Sequence, residues 1–220
     1  MDEIITVTGK GKISLPPDMI QINISLGIVR DSYEETMDDS AEYLSILRDA
    51  LKTEGFAKED IKTIRFKVDL EYESYKEEDI WKRRFVGYKC EHDLKIEFSS
   101  NSKRLAKILS LIVRCPISPE ISIHYKIKDM EDAKKQLLSK AVEDSRRKAE
   151  ILTEAAGVKF GKVINIDYSW GEINIQSEPV RYNKALLAEE QMGRYDNSLD
   201  INPEDLDISD TVTVAWEILS

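Results

Sequence analysis

Strict alternation of apolar and polar residues is the feature that most constrains what this chain can fold into. The clearest run spans residues 20–28, where Ile and Leu alternate with Gln, Asn, Ser and Gly. Comparable runs lie at 64–72 and 211–218, and shorter ones at 5–7, 121–127 and 164–170. The side chains of a strand point alternately to its two faces, so each run predicts a β-strand with one face on a core and the other in water. Such strands are typical of antiparallel sheets.

The segment 86–98 follows the same rule, and it contains residue types that often bind metal ions or carry out catalysis. Its apolar face carries Cys90 and His92, whereas Glu91 and Asp93 point to the opposite face. A zinc site needs three or four ligands that converge on one point, and a strand separates these residues. The other histidine, His124, falls on the polar face of its own strand. We therefore interpret Cys90 and His92 as packing residues, and predict no catalytic, cofactor-binding or metal-binding residue.

Three segments have apolar residues at helical spacing instead. They span residues 33–54, 102–114 and 129–156, and a glycine or proline closely follows each as a stop signal. On the outer face of the third helix Asp144 precedes Lys148 by four residues, which is the favourable order for an ion pair. The residues predicted to face inward are Met37, Ala41, Leu44, Leu47, Leu51, Leu105, Ile108, Leu109, Val113, Ala133, Leu137, Ala141, Ala149 and Leu152.

The elements follow the order β-β-α-β-β-α-β-α-β-β, which predicts an α+β fold with antiparallel sheets and helices packed on one side. A chain of 220 residues fits one domain, and two interlocked α+β halves at about 1–100 and 101–220 are the alternative. The triplet Glu77-Glu78-Asp79 is predicted to tip a hairpin between two strands. The acidic stretch 176–207 is the least regular; a connection this long is disordered, binds something, or holds a short helix at 184–191.

Two motifs resemble ligand-binding loops but lack a part that the chemistry needs. The sequence GKGK at 9–12 looks like part of a phosphate loop, yet no helix N-terminus follows to receive an anion. Its glycines predict a bulge or distortion between two strands instead. Residues 196–207 place acids at calcium-loop positions, yet Ile201 stands where the turn needs glycine. Neither motif predicts a binding site.

The net charge and the N-terminal sequence indicate which partners and which compartment to expect. The 42 acidic and 32 basic residues give a formal charge of −10, which disfavours nucleic acid and anionic membrane surfaces. The apolar runs are far too short for a membrane span. The N-terminus MDEIITVTGKG carries acids where a signal peptide carries bases, which predicts a cytoplasmic protein. Cys90 and Cys115 do not make a disulfide framework and are expected to be free thiols.

Five blocks of sequence occur in order along the chain. They are ITVTGKGKISLPPDMIQINI at 5–24, EDIKTIRFKVDLEYE at 59–73, GYKCEHDLKIEF at 87–98, KAVEDSRRKAEILTEAAGVKFGKVINI at 140–166 and DTVTVAWEI at 210–218. Together they resemble the SIMPL domain family (YggE-like, periplasmic immunogenic protein-like), a domain of unknown function. Two features depart from the family pattern. The N-terminus is expected to lack the usual leader peptide, and Pro203-Glu204-Asp205 stands where the family has Pro-Gly-Glu before the last strand.

The resemblance implies that this protein acts by associating with proteins and not by catalysing a reaction. Family members suggest rings or channel-like oligomers, adaptor roles and roles in stress tolerance, and many are periplasmic or envelope-associated. We therefore predict a non-enzymatic, self-assembling or adaptor protein without a cofactor, whose partners are itself, as a homo-oligomer, or another protein. One alternative is an enzyme with a carboxylate-based cleft. The other is a small-molecule binder with a pocket between sheet and helices, lined by aromatics such as Tyr72, Tyr88 and Trp170.

Unpaired sheet edges provide a physical motive for self-association. An open antiparallel sheet leaves edges that must be covered or paired. The strands at Ile4–Thr8 and Thr211–Ile218 carry few of the prolines and lysines that block an edge. Both are predicted to be available for pairing between subunits, against the repulsion of like-charged chains.

Overall fold

The computed structural model describes residues 3–168, 177–182 and 203–219. Within these ranges the strands are β1 (Ile4–Leu15), β2 (Met19–Arg30), β3 (Lys62–Glu77), β4 (Ile80–Ser99), β5 (Glu120–Lys126), β6 (Lys159–Asp167), β7 (Val180–Tyr182) and β8 (Leu206–Leu219). The α-helices are α1 (Tyr33–Lys52), α2 (Ser102–Arg114) and α3 (Met130–Ala156), and a 3₁₀ turn covers Lys58–Asp60. The predicted α+β class and element order are confirmed, with the three-residue β7 as an addition.

Three predictions concern residues outside the described ranges. These are the short helix at 184–191, the calcium-like spacing over 196–202, and Trp170 as a pocket residue. Among the residues that are described, no helix combines the length and the apolar character that a membrane crossing needs.

The chain divides into two compact units, each assembled from separate stretches of sequence. The first unit comprises Met1–Asp18, Lys126–Ser177 and Pro203–Ser220. The second comprises Met19–Tyr125 and Glu178–Asn202. In their described parts, the first unit holds a three-stranded sheet with α3, and the second holds a five-stranded sheet with α1 and α2.

The sheet of the first unit has the strand order β1-β8-β6. The two ends of the chain meet in it, because β1 pairs antiparallel with β8 from Ile4 opposite Glu217 to Leu15 opposite Leu206. The other side of β8 pairs with β6. The prediction that Thr211–Ile218 is an available edge is therefore wrong: this stretch lies in the central strand, with hydrogen-bonded neighbours on both sides.

Helix α3 packs on this sheet with its smallest residues. Asp129 caps its start by accepting from the N–H of Asp132 at 3.1 Å, and Gly157, with φ 72°, ends it as predicted. The prediction that Leu152 faces inward is wrong, because Leu152 is exposed and Thr153 is buried instead. The buried stripe repeats every four residues: Ala133, Leu137, Ala141, Ser145, Ala149 and Thr153.

Two glycines of β1 allow this close packing. A Cβ atom on Gly9 would lie 1.9 Å from the carbonyl oxygen of Ala141, and one on Gly11 would lie 2.0 Å from that of Leu137. The predicted bulge at these glycines is wrong, because β1 keeps an unbroken register with β8. The glycines serve the approach of helix to strand rather than a distortion of the strand.

The sheet of the second unit has the order β3-β4-β2-β5-β7. Strand β2 pairs antiparallel with β4 from Met19 opposite Ser99 to Arg30 opposite Tyr88. The alternating apolar residues of these two strands form the core together with α1, α2 and β5. The most deeply buried of the core residues include Ile20, Ile22, Ile24, Leu47, Leu51, Leu94, Ile96, Leu105, Ile108, Ile112, Ile117 and Ile123.

Helix α1 turns a more polar face to this core than its sequence predicts. Ala41 is exposed, so its predicted inward position is wrong, whereas Thr36 and Ser40 are buried. The Thr36 hydroxyl lies 2.8 Å from the carbonyl oxygen of Ser32 and 3.2 Å from that of Tyr88. Short polar side chains that are satisfied in this way can replace apolar ones at a tightly packed helix.

Candidate functional site

The cluster at 90–93 is split across the sheet as predicted. Cys90 and His92 are buried, and the Cys90 thiol donates to the Ser40 hydroxyl at 3.5 Å. The His92 Nε2 atom lies 3.1 Å from the Thr63 hydroxyl, and burial together with the nearby charge of Arg48 lowers the pKa of His92. These contacts are those of packing residues.

The acids of the same cluster are engaged on the opposite face. Glu91 pairs with Lys89 at 2.8 Å, which lowers the pKa of Glu91, and Asp93 pairs with Arg65 at 2.8 Å. His124, half-buried, lies beside the Ser122 hydroxyl at 3.4 Å, away from the core as predicted. In the described ranges no group of three or more His, Cys, Asp and Glu residues could hold a metal ion.

An open cleft of about 660 Å³ in the first unit is a candidate for the carboxylate-based cleft of the alternative enzyme function. Its lining is Lys10, Lys12, Lys140, Glu143, Asp144 and Arg147. Asp144 accepts a hydrogen bond from the Lys10 backbone N–H at 2.9 Å and pairs with Lys148 at 2.7 Å. The Lys148 and Arg147 charges and the Lys10 N–H hold the pKa of Asp144 far below its ordinary range. A carboxylate held ionised by several donors is a poor general acid or base near neutral pH.

The same side chains close the outer edge of β1. Lys140, Asp144 and Lys148 follow one another at four-residue spacing along α3. Lys148 Nζ donates to the Thr8 carbonyl at 3.1 Å, and Lys140 Nζ lies 3.4 Å from the Lys12 carbonyl oxygen. The two lysines of the helix thus act as donors to backbone carbonyls of β1, and Asp144 between them accepts from a backbone N–H. Between Thr8 and Lys12 this edge is occupied, and the predicted available edge Ile4–Thr8 reaches only up to that point.

Among the described elements, the hairpin of β3 and β4 carries many exposed apolar side chains. Glu77 pairs with Ile80, and Glu78 and Asp79 between them have φ of 49° and 60°. Two consecutive residues with positive φ form the two-residue turn that matches strand twist, so the predicted hairpin tip is confirmed. The partner strand β2 ends at Arg30, and the hairpin continues beyond it as a two-stranded arm over residues 72–85.

Gly87 marks the point where this arm leaves the sheet. It has φ 151°, and a Cβ atom on it would lie 2.2 Å from the carbonyl oxygen of Arg30. The register between β3 and β4 shifts here, since Glu71 pairs with Gly87 and Tyr72 pairs with Phe85. The local sequence therefore provides a β-bulge at which the arm can change direction.

One face of the hairpin is apolar and exposed. Phe66 pairs with His92 and Leu70 with Tyr88, so these β3 side chains lie on the same sheet face as the buried core. Helix α1 packs against β2 and β4, and β3 lies beyond its cover. The exposed fractions of the uncovered side chains are 47% for Phe66, 52% for Leu70, 42% for Tyr72, 71% for Trp81 and 48% for Phe85.

Aromatic rings order this face into a continuous surface. Tyr33 and Tyr88 meet edge to face at 5.9 Å between ring centroids, Tyr88 and Phe85 at 5.6 Å, and Phe85 and Tyr72 at 5.8 Å. The Arg83 guanidinium lies over the Tyr72 ring at 5.0 Å. Contacts of this geometry contribute about 0.5–1.5 kcal/mol each, which keeps the rings in place while their outer surfaces stay in water.

The pocket predicted from Tyr72 and Tyr88 is thus an open face in this part of the structure. Tyr72 lies on the arm of the hairpin, and Tyr88 lies at its base beside Tyr33. The alternation at 64–72 predicts an apolar face but cannot tell whether another part of the same chain covers it. The signal that could have identified this face is the excess of aromatic residues from 72 to 88, since rigid aromatic side chains are enriched at interfaces.

Comparison with known proteins agrees with the block pattern along the sequence. The SIMPL family, described as a protein of unknown function (DUF541), matches residues 5–216. The 26 kDa periplasmic immunogenic proteins of Brucella melitensis biotype 1 and of Brucella abortus strain S19 are each 23% identical to this chain over 215 residues. That alignment covers 97% of this chain and 84% of each relative. Because the family match extends over nearly the whole chain, this protein belongs to the SIMPL family.

Proposed function

We propose that this protein works by binding proteins, as a self-assembling or adaptor protein, and that the exposed face of the β3–β4 hairpin is its docking surface. The observation that carries the proposal is the set of five exposed side chains on that face, which include Phe66, Leu70 and Trp81. Elsewhere in the second unit, apolar side chains on this sheet face are buried in a core, whereas these five side chains are 42–71% exposed.

The physical reason is the cost of leaving such a face in water. Burial of apolar surface contributes roughly 25 cal/mol per Å², and contiguous exposed apolar patches on monomers are frequently interaction sites. A two-stranded ribbon is also marginally stable by itself. The arm over residues 72–85 therefore gains both apolar burial and order when a partner covers it.

The alternative functions find less support in the described residues. Asp144, Glu91 and Asp93 are committed to ion pairs or backbone donors, which disfavours a carboxylate-based enzyme. Tyr72 is 42% exposed and Tyr88 is half-buried, so they lie on an exposed face rather than in an enclosed pocket, which disfavours a small-molecule binder. A docking role needs an exposed apolar face, and the aromatic face of the hairpin is exposed.

The compartment and the cellular role rest on the sequence and on the relatives. The names of the Brucella relatives favour the periplasm, and the cytoplasm is the alternative compartment. Fractionation of the native protein with sequencing of its N-terminus decides between the two. The role in stress tolerance that the family resemblance implies is also a proposal, and survival of a strain that lacks the protein under oxidative and heat stress tests it.

Photo-crosslinking in cells tests the docking surface itself. Benzoylphenylalanine at position 81 or 70 should give covalent adducts with a second polypeptide on irradiation. The matched control is position 151 on α3, where Ile151 is 59% exposed, and it should give none. Adducts absent from both hairpin positions, or equally abundant at position 151, would contradict the proposal.

A further inference from the structure

The open cleft along the outer edge of β1 is basic, although the whole chain carries a formal charge of −10. Its lining, which we call the basic cleft, consists of Lys10, Lys12, Lys140, Arg147, Glu143 and Asp144. The bases of this lining outnumber the acids by two. A concave surface lined mainly by one sign of charge concentrates ions of the opposite sign, so the basic cleft attracts anions.

We propose that the basic cleft binds a small molecule through a phosphate dianion, either free in solution or as the headgroup of a lipid. A phosphate monoester carries about −1.5 to −2 charges at pH 7, which matches the excess of bases in the lining. The volume of about 660 Å³ lies within the range of small-molecule sites, about 300–1,000 Å³. This site goes beyond the docking function, because its residues belong to the first unit and the hairpin belongs to the second.

The alternation of glycine and lysine at 9–12 builds one wall of the cleft. Side chains two residues apart share a face of a strand at a spacing of about 7 Å, so Lys10 and Lys12 lie side by side, and both are exposed. Gly9 and Gly11 face the other way, where a Cβ atom would lie 1.9 Å and 2.0 Å from carbonyl oxygens of α3. The glycines thus bring the bases of α3 close to the two lysines of β1.

This geometry gives the GKGK motif a role different from that of a phosphate loop. A phosphate loop binds its anion with the backbone N–H groups at a helix N-terminus. Here the donors are the ammonium groups of Lys10, Lys12 and Lys140 and the guanidinium of Arg147, and α3 contributes its side and not its start. Charged donors of this kind make strong hydrogen bonds to phosphate oxygens.

Asp144 positions the bases and does not bind the ligand. Its carboxylate accepts from the Lys10 backbone N–H at 2.9 Å and pairs with Lys148 at 2.7 Å and with Arg147. Its side chain is 13% exposed. A guanidinium has five N–H donors, so the pair with Asp144 holds Arg147 in place and leaves donors for an anion. A metal ion would have to displace these three partners, which disfavours a cation in the cleft.

Glu143 provides a change of opposite sign. It is the other carboxylate of the lining, and its charge opposes an anion. Removal of this charge should therefore strengthen binding, whereas removal of a lysine charge should weaken it. A variant that merely damages the fold cannot bind more tightly, so the pair of changes separates an electrostatic site from a structural effect.

A titration with glycerol 3-phosphate tests the site. Followed by amide NMR at pH 7.5 and low salt, the signals of residues 9–12 should shift saturably, and glycerol at the same concentration should leave them unchanged. The double variant Lys10→Gln/Lys12→Gln should bind at least about tenfold more weakly, because two charged donors are lost. Lys135→Gln, an exposed position of α3 outside the lining, is the matched control and should bind as the native protein does.

Two further measurements use the sign of the charge. Glu143→Gln should bind about threefold more tightly, the size expected of one exposed charge. Binding should also weaken as the pH falls from 7.5 to 5, because a phosphate monoester with a second pKa of about 6 loses a charge while lysine keeps its own. Equal affinity of the native protein and the double lysine variant, or weaker binding by Glu143→Gln, would overturn the proposal.

Vesicles of phosphatidic acid separate the two sources of the phosphate group. The net charge of the chain opposes an anionic surface, so we expect saturable binding of glycerol 3-phosphate and no sedimentation with vesicles. Sedimentation with vesicles that Lys10→Gln/Lys12→Gln abolishes would support the site and assign its phosphate to a lipid. No saturable shift with glycerol 3-phosphate, together with no effect of the two lysines on vesicle binding, would overturn the proposal and leave the docking function intact.

Discussion

Asp144 accepts a hydrogen bond from the backbone N–H of Lys10 at 2.9 Å, and this contact fixes α3 along the outer edge of β1. Lys140 and Lys148, one turn before and one turn after Asp144, reach the carbonyl oxygens of Lys12 and Thr8. A helix that satisfies the free groups of an edge strand prevents that edge from pairing with another chain. Among the described strands, β3 has no helix side chains along its outer edge in this way, and this difference is one reason why we propose the hairpin as the docking surface.

Replacement of Asp144 tests the cover of the β1 edge. Asp144→Ala should lower the free energy of unfolding by roughly 1 kcal/mol, because a charge-assisted hydrogen bond to a backbone donor is lost. The measurement is urea unfolding at pH 7. Glu143→Ala, on the same turn of α3, is the control and should have little effect; an equal loss in both variants would contradict the role of Asp144.

The pH dependence of stability reports the same carboxylate. The pKa of Asp144 is depressed in the folded state, so its stabilising contribution is complete above the pKa of an unfolded Asp, about 3.9, and is lost as the pH falls below that value. Between pH 5 and pH 2, about the range of this loss, the native protein should lose more stability than Asp144→Asn does. Parallel curves for the two proteins would show that Asp144 carries no such contribution.

His92 should make stability fall in a different pH window. Burial lowers the pKa of His92 in the folded state, so the unfolded chain binds the proton more readily. Stability is complete above the unfolded pKa of about 6.5 and declines as the pH falls below it. His92→Gln should flatten the part of the decline between about pH 7 and pH 5, as measured by urea unfolding at each pH. An unchanged slope would contradict the effect of burial.

The glycines of β1 should tolerate no side chain. Gly9→Ala places a methyl group 1.9 Å from the Ala141 carbonyl oxygen, so helix and strand must separate, at a cost of about 2 kcal/mol or more. Gly27→Ala in β2 is the matched control, because nothing lies within 4 Å of its Cβ position. Thermal unfolding should distinguish the two variants by several degrees; equal midpoints would contradict the close approach of α3 to β1.

Cys90 and His92 should carry no metal. Protein purified without chelator should contain no stoichiometric zinc, because Cys90 contacts Ser40 and the acids beside it point to the other face. Cys90→Ala should leave the metal content unchanged while it lowers stability. One equivalent of zinc in the native protein, lost in this variant, would mean that the packing interpretation is wrong.

The strands and the hairpin turn could be predicted because they depend on local geometry. The alternation of Ile20 to Ile28 and of Tyr88 to Phe98 reports which side of a strand is buried whatever its neighbours are. The central position of β8 could not be predicted, since β1 and β8 lie at opposite ends of the chain and their pairing is a property of the whole fold. The same holds for α3, where close approach to Gly9 and Gly11 favours Thr153 over Leu152 on the buried side.

The candidate site was only partly visible in the sequence. Alternation from 64 to 72 predicts an apolar face, but its exposure depends on where α1 packs, and α1 covers β2 and β4 instead. The sequence suggests Tyr72, Tyr88 and Trp170 only as the lining of a pocket in one alternative function; the structure places Tyr72 and Tyr88 on the hairpin face, and Trp170 lies outside the described residues.

Amide hydrogen exchange as a function of protein concentration tests most directly the proposal that this protein self-assembles through the β3–β4 hairpin. Strand pairing gives the outward N–H groups of β3 new acceptors, so their exchange should slow as the concentration rises through the range in which light scattering shows dimerisation. Peptides from 62–72 should gain protection, whereas peptides from α2 should not change. Exchange in 62–72 that stays independent of concentration while the protein dimerises would contradict the account.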